Sequence, residues 1–147
     1  MDLRIVNKST HPLPEYKTAG SAGFDLRAFL PNGSVVLKPM ERMIVPTGLY
    51  MEIPVGLEGQ VRPRSGCAVK QGLTVINAPG TIDSDYRGEV GVSIINLSTE
   101  DQEIKDGERI AQMVITAYSF MSFVEVQSVE ELSQTERGAG GFGHTGK

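Results

Sequence analysis

Residues 77–90 hold the densest group of side chains suited to chemistry in this chain. Asp83 is a carboxylate that directly follows an apolar residue, and Tyr86 offers a flat ring with a polar tip. Arg87 presents a fork of donors that suits a carboxylate or a phosphate. Asn77 can both donate and accept hydrogen bonds, which suits the edge of a nucleobase. These residue types fit either a nucleotide site or an exposed hairpin with ordinary polar decoration.

The pattern around these side chains predicts a β-hairpin. Pro79-Gly80 allows a sharp change of direction after a β-branched lead-in, and Ser84-Asp85 supplies turn residues. From Val90 onward apolar residues alternate with small polar ones, which predicts a return strand with one buried face. In this hairpin the Asp83 carboxylate would lie next to the apolar side chains of the strands.

Two further stretches could take part in binding. Small residues at 19–23 precede a strand whose charged face carries Asp25, which is either a functional group or a plain surface carboxylate. Ser65-Gly66 follows Arg64 at the start of a predicted short helix. A hydroxyl and free amides beside an arginine can hold an anion, although the same residues also fit an ordinary N-cap with a surface arginine.

Gln112 is a polar residue in an apolar strand pattern at 109–115. A buried amide must find hydrogen-bond partners, so this side chain either braces the core or faces a polar ligand. The single Cys67 excludes an internal disulfide framework and is interpreted as a packed small residue rather than a nucleophile.

Short strand patterns separated by proline and glycine recur along the chain, which predicts an all-β barrel or sandwich. The predicted strands are 3–6, 24–28, 35–37, 43–45, 49–53, 57–64, 90–94, 109–115 and a late strand at 120–126.

The composition fits one soluble globular domain. The chain has 147 residues, of which 39% are hydrophobic and 22% are charged, and its net charge is −4. This balance gives no basic footprint for nucleic acid, so any polyanion must be met by a local pocket. No apolar run follows Met1 or approaches the length of a membrane span, so we predict a cytoplasmic protein without a membrane partner.

The tail from Arg137 to Lys147 contains five glycines in eleven residues. Such a composition is typical of disorder, but Arg137 and Phe142 favour a segment that becomes ordered on a ligand. We therefore predict a barrel domain at 1–136 and a flexible lid at 137–147. The final residues match the start of a P-loop formally, yet the required buried strand, Ser/Thr and following helix are missing from the sequence.

Five stretches together resemble the motifs of the trimeric deoxyuridine triphosphatases (dUTPases), in the same order and over nearly the whole chain. Each stretch is a weak signal alone, whereas five in order are specific. The stretches are Ala19–Ala28, Pro63–Gly66, Gly80–Glu89, Gly107–Gln112 and Arg137–Gly143 with Thr145-Gly146.

The resemblance implies a jelly-roll-like β-barrel of the dUTPase-like β-clip type. It also implies a homotrimer whose three active sites each take residues from all three chains, with a swapped C-terminal segment. The implied reaction converts dUTP and water to dUMP and pyrophosphate with Mg²⁺, which lowers dUTP and supplies dUMP for thymidylate synthesis.

The same resemblance assigns roles to residues. Asp83 would orient the attacking water and accept its proton. The phosphate chain would be held by Arg64, Ser65 and Gly66 with help from Gln112. Asp25 would act on Mg²⁺ through a bound water, because this ion retains water and favours substrate oxygens.

Base and sugar recognition would come from the predicted hairpin and the tail. Tyr86 would lie against the deoxyribose, where a 2′-hydroxyl would clash. The tail would close over the bound nucleotide, with Arg137 on the γ-phosphate and Phe142 stacked on the base. The uracil edge would meet Asn77 and the backbone of Gly80, Thr81 and Ile82, and Gly143 completes the set of binding residues.

Two other functions remain open at this level. A dCTP deaminase shares the fold, although Tyr86-Arg87-Gly88 resembles the hydrolase hairpin. A nucleotide-binding regulatory protein that senses dUTP would bind without releasing pyrophosphate.

Overall fold

The computed structural model describes residues 1–141 and shows an all-β chain, as the strand rhythm predicted. One short helix, α1, spans Ser65–Gln71, and a turn of 3-10 helix spans Val129–Glu131. The strands are β1 (Arg4–Asn7), β2 (Gly23–Arg27), β3 (Ser34–Leu37), β4 (Arg42–Glu52), β5 (Leu57–Pro63), β6 (Leu73–Val75), β7 (Gly80–Ile82), β8 (Glu89–Asn96), β9 (Gln102–Lys105) and β10 (Arg109–Ala117).

The strands form two four-stranded sheets and one two-stranded sheet. The larger sheets have the orders β1-β4-β8-β6 and β2-β10-β5-β7, and β3 pairs with β9. Every pairing is antiparallel. Neighbours in a sheet are mostly distant in sequence, so the fold depends on long-range pairing.

The inward faces of the two larger sheets contribute to one hydrophobic core. The predicted alternation in β8 is confirmed, because Val90, Val92 and Ile94 are each at most 1% exposed. The other sheet contributes Leu26 and Met113, which are fully buried. Burial of a side chain of this size stabilises the fold by about 1.5–3 kcal/mol.

Strand β4 differs from the prediction of two separate strands at 43–45 and 49–53. It is continuous from Arg42 to Glu52, and the pairing with β8 breaks only between Pro46 and Tyr50. Gly48 has a φ of +70° at this irregularity. The proline and glycine that suggested a turn therefore form a bulge within one strand.

The segment after β10 lies on the outside of the barrel. The late strand predicted at 120–126 is wrong, since no strand follows Ala117 within the described range. Phe120 is 90% exposed and Phe123 is 98% exposed. A strand needs a partner for its backbone groups, and residues 1–141 of a single chain offer none to the segment. In the same range no helix has the length and apolar character that a membrane crossing requires.

Candidate active site

An aspartate held between two arginines lies where β2, β10 and the start of α1 meet. Arg64 Nε donates to Asp25 Oδ1 at 2.7 Å, and Arg109 Nη1 donates to Asp25 Oδ2 at 3.1 Å. All three side chains are partly exposed, at 20% for Asp25, 26% for Arg64 and 42% for Arg109. Each carboxylate oxygen accepts a charge-assisted bond, so both guanidinium groups are fixed in position beside solvent.

The strand register explains why residues so distant in sequence meet here. Gln112 on β10 pairs with Asp25 on one side and with Arg62 on the other. Arg64 follows β5 directly, and its Nη1 also donates to the carbonyl oxygen of Arg109 at 3.1 Å. The sequence segments around Asp25, Arg64 and Gln112 therefore converge at one end of the β2-β10-β5-β7 sheet.

Two side-chain contacts fasten the end of β5 and the first turn of α1 to β10. Gln112 is half-buried, and its Nε2 donates to the carbonyl oxygen of Pro63 at 2.9 Å. Cys67 is 6% exposed with its Sγ 3.4 Å from the carbonyl oxygen of Arg109, in agreement with the prediction of a packed residue. Within this chain, then, the Gln112 amide braces the junction of β5 and α1.

Helix α1 exposes its first turn beside the cluster. Ser65 and Gly66 are exposed, and a side chain added at Gly66 would meet open space. The N-cap position belongs to Arg64 and has no side-chain capping bond. The interpretation of Ser65 as an N-cap is therefore wrong, and its hydroxyl sits on an accessible helix start.

An open groove of about 350 Å³ runs beside α1. Its lining includes three cationic side chains, Arg64, Lys70 and Arg109, together with Glu108. Several cations around an open groove suit a polyanionic ligand. Sequence reasoning did not single out Lys70 or Arg109, although the fourth motif contains Arg109 and the predicted helix contains Lys70.

Residues 77–90 form an arch between the two larger sheets rather than the predicted hairpin. β7 pairs with β5, whereas β8 pairs with β4 and β6. The hairpin prediction is thus wrong in its pairing, although both of its strands exist. Alternating apolar residues indicate a strand but do not identify its partner.

The arch carries an exposed acid and a half-exposed aromatic ring. Asp83 follows the end of β7, and its carbonyl oxygen accepts a hydrogen bond from Tyr86 N at 3.1 Å. The Asp83 carboxylate makes no hydrogen bond or ion pair with any residue from 1 to 141. Tyr86 is 44% exposed, and Asn77 and Arg87 are exposed as well.

Strand β7 is an edge strand. The sheet order places it after β5 with nothing beyond, so Gly80, Thr81 and Ile82 are paired on one side only among the described residues. An edge strand presents backbone donors and acceptors that a flat polar ligand can use.

One chain does not bring the arch to the Asp25 cluster. Gly80 is paired with Val61 and Ile82 with Gly59, so Asp83 continues away from Arg64 along β5. Continuing this register puts Asp83 opposite Glu58. Arg64 follows six positions later in the chain, which corresponds to about 20 Å at ~3.3 Å per residue. The two groups of predicted site residues therefore lie far apart within a single chain.

The tail residues make only local contacts in the described range. Arg137 Nε donates to the carbonyl oxygen of Gly140 at 2.7 Å, and Arg137 is exposed. Phe142 and Gly143 lie outside the described residues. Within 1–141 no group of three or more His, Cys, Asp or Glu side chains is arranged to hold a metal ion.

Comparisons with known proteins agree with this architecture. The dUTPase family model matches residues 9–146. A deoxyuridine 5′-triphosphate nucleotidohydrolase of Finegoldia magna is 53% identical over 146 residues, covering 99% of both chains. One of Cytophaga hutchinsonii is 54% identical over 145 residues, covering 99% of this chain and 92% of that protein.

Solved structures of phage dUTPases share the fold. The dUTPase of Staphylococcus bacteriophage 80alpha with dUPNHPP superposes with a TM-score of 0.83 at 29% identity, covering 99% of each chain. A mutant dUTPase from phage phi11 of S. aureus, described with a structural Mg(II) ion, gives a TM-score of 0.76 at 25% identity and covers 88% of this chain and 99% of that one. The jelly-roll-like β fold is confirmed by these neighbours. On the family match and on identities above one half over nearly the full length, the chain belongs to the dUTPase family of dUTP diphosphatases.

Proposed function

We propose that this dUTPase cleaves dUTP to dUMP and pyrophosphate by in-line attack of water on the α-phosphorus, with Asp83 as the general base. The observation that carries the proposal is the exposed Asp83 carboxylate at the end of β7, which no other residue of the described range engages. A base needs an accessible lone pair to orient water and accept its proton. The product dUMP would then be available for thymidylate synthesis, and the cytoplasmic location stays a prediction.

The phosphate chain would bind at the cationic end of the β2-β10-β5-β7 sheet. Arg64 is fixed by Asp25 and stands beside the exposed Ser65 and Gly66 of α1. A guanidinium group, a hydroxyl and helix-start amides are the donors that phosphate oxygens accept best. Gln112 would join them by exchanging its bond to Pro63 for a phosphate or water contact.

Asp25 would hold Mg²⁺ through a bound water rather than by direct coordination. Both Asp25 oxygens are engaged by arginines, so direct coordination would cost one of these bonds. Mg²⁺ keeps several waters and prefers substrate phosphates to an all-protein cage. Asp25 would hold a water of the ion, whose charge would offset that of the phosphates when the nucleotide is bound.

The uracil ring would be recognised by the free edge of β7. Backbone groups of Gly80, Thr81 and Ile82 on the unpaired side can pair with the donor and acceptor pattern of uracil, with Asn77 nearby. Cytosine presents the opposite pattern and would leave buried groups unpaired, which is a strong basis for rejection. Tyr86 would lie against the deoxyribose and leave no space for a 2′-hydroxyl.

A complete site would need more than one copy of the chain. Asp83 and Arg64 are about 20 Å apart along the sheet by the strand spacing, too far to act on neighbouring phosphates of one nucleotide. The exposed apolar segment after Ala117 supplies a surface that a second copy can cover. We therefore infer a homotrimer with shared sites and an exchanged C-terminal segment.

The glycine-rich tail would act as the lid of a neighbouring site. In this proposal residues 137–147 would act separately from the barrel at 1–136, and Arg137 would contact the γ-phosphate. Phe142 would stack on the base and Gly143 would approach the nucleotide closely.

Pyrophosphate release measured with dUTP, dCTP, dTTP and UTP tests this proposal. Rapid release from dUTP alone is the expected result. Equal release from dCTP or UTP would contradict recognition by β7 and Tyr86. Ammonia from dCTP would indicate a deaminase, and dUTP binding without pyrophosphate would indicate a sensor.

A further inference from the structure

Glu89 ties the end of the arch to the bulge of β4. Its Oε1 accepts hydrogen bonds from the backbone N–H groups of Thr47 at 3.1 Å and Gly48 at 2.7 Å. The residue is half-buried. A carboxylate in such a place needs donors, and two amides aimed at one oxygen hold it in a single position.

The bulge that supplies these amides is itself firmly held. Thr47 is 2% exposed, and its Oγ1 donates to the carbonyl oxygen of Val90 at 2.6 Å. The Gly48 carbonyl oxygen accepts from Lys8 N at 2.8 Å, and a side chain at Gly48 would come within 2.7 Å of Ser9 N. The backbone N–H groups of Thr47 and Gly48 that donate to Glu89 are therefore fixed rigidly to the barrel.

Glu89 in turn holds Tyr86. The Tyr86 hydroxyl donates to the carbonyl oxygen of Glu89 at 3.0 Å. The phenol lies across Gly88, where any Cβ would overlap its ring and hydroxyl. One face of Tyr86 is thus fixed by Gly88 and Glu89, and 44% of the residue remains exposed for a ligand.

We propose that Glu89 is a positioning residue that sets the preference for dUTP over UTP by holding Tyr86 rigidly. This inference rests on the proposed function, in which Tyr86 packs against the deoxyribose. An apolar wall that can yield rejects an extra hydroxyl only weakly. Strong rejection of the 2′-hydroxyl therefore requires a ring that cannot move away from it. The hydrogen bonds that link the β4 bulge to Glu89 and Glu89 to Tyr86 provide that rigidity.

The test compares Glu89→Ala with Glu89→Gln, using kcat/KM for dUTP and for UTP from pyrophosphate release. We expect the dUTP/UTP ratio to fall about tenfold in Glu89→Ala, mainly through a lower KM for UTP. Glu89→Gln keeps an acceptor oxygen at the same reach and should retain most of the ratio. A purely structural role would lower stability and affect both substrates alike, and an unchanged ratio in Glu89→Ala would overturn the inference.

Tyr86→Phe gives a second route to the same link, because it removes the hydroxyl that bonds to Glu89. We expect a similar loss of ratio, with little further loss when Tyr86→Phe is combined with Glu89→Ala in one chain. Fully additive losses would contradict a shared mechanism. Should Glu89→Ala fail to fold, an unchanged ratio in Tyr86→Phe would overturn the inference by itself.

Two controls separate this inference from the proposed function. Glu100→Ala removes an exposed glutamate from the loop after β8 and should leave the ratio unchanged. A wild-type enzyme without preference for dUTP over UTP would contradict the proposed function of Tyr86. A clear preference of the wild type for dUTP that is retained in Glu89→Ala and in Tyr86→Phe would refute only the role of Glu89.

Discussion

The two aspartates assigned to the reaction have opposite surroundings. Asp25 is fixed by two guanidinium groups at 2.7 and 3.1 Å. Asp83 is exposed and meets no side-chain partner within residues 1–141. An anchor for a metal-bound water must be held still, whereas a base must offer an accessible lone pair. These surroundings support the division of roles proposed for Asp25 and Asp83.

At this residue scale, Asp83→Asn should remove most turnover and leave the fold intact. The amide keeps the shape but cannot accept a proton from water, so we expect kcat to fall about 10²–10⁴-fold. Steady-state pyrophosphate release measures the effect, and circular dichroism checks the fold. Asp85→Asn, at an exposed position of the same arch, is the matched control and should keep near wild-type turnover. Near wild-type turnover in Asp83→Asn would show that the base lies elsewhere.

Among the elements, the turn between β9 and β10 positions the first residue of β10. Asp106 Oδ1 accepts from Leu30 N at 2.7 Å and lies 3.0 Å from His11 Nε2. Arg27 Nη1 donates to the carbonyl oxygen of Gly107 at 2.7 Å. Because Arg109 follows directly, this turn supports the geometry of the Asp25 cluster.

The same turn should contribute pH-dependent stability. The Leu30 amide, and then the His11 side chain, lower the pKa of Asp106. A carboxyl group whose pKa is lower in the folded state stabilises the fold above its unfolded pKa, about 4, and loses that contribution as the pH falls through the folded pKa. Asp106→Ala should therefore be clearly less stable than wild type at pH 7, with a difference that narrows below about pH 4.

Urea unfolding at pH 7, 5 and 3 measures this difference. Asp101→Ala, at an exposed position just before β9, is the control and should change the free energy of unfolding little at any of these values. A gap between Asp106→Ala and wild type that stays constant with pH would contradict the prediction.

At the scale of the whole molecule, the distance between the arch and the Asp25 cluster determines whether one chain can form a complete site. Strand β7, which leads into the arch, and the Asp25 cluster belong to the same sheet but lie at different ends of β5. A site that uses both must combine residues from different copies of the chain, and closed rotational symmetry would then repeat it in every copy.

Mixed assemblies test this arrangement. Asp83→Asn and Arg64→Ala should each be nearly inactive alone. After the two are unfolded and refolded together in equal amounts, about one quarter of the sites would receive both wild-type residues from different chains, so activity should reappear. Co-refolding of Asp83→Asn with an Asp83→Ala chain is the control and should stay inactive. If the first mixture regains no activity, Asp83 and Arg64 either act in a site formed by one chain or do not share a site.

Deletion of residues 137–147 tests the proposed lid separately from the proposed oligomer. We expect kcat/KM for dUTP to fall because closure of the site is lost, while the oligomer survives because the apolar segment at 118–126 remains. Pyrophosphate release and light scattering after gel filtration measure the two effects. Unchanged turnover would show that the tail does not act as a lid.

Much of the local structure follows from the sequence. The alternation in β2 and β8 predicted which residues are buried, and Phe24, Val92 and Ile94 are within 4% of complete burial. The motif order predicted the family correctly. These features depend on side-chain periodicity and on short runs of neighbouring residues, which a sequence displays directly.

Only the tertiary structure decided which strands pair, including the bulge in β4 and the arch at 77–90. It also showed that the segment after Ala117 is exposed and forms no strand within the described residues. It further revealed Arg109 as a partner of Asp25 and the Glu89 carbonyl oxygen as the acceptor of the Tyr86 hydroxyl. Most of these depend on contacts between residues far apart in the chain, which a local pattern cannot specify. Periodicity determines the face that a residue occupies, whereas the choice of partner depends on the packing of the whole barrel.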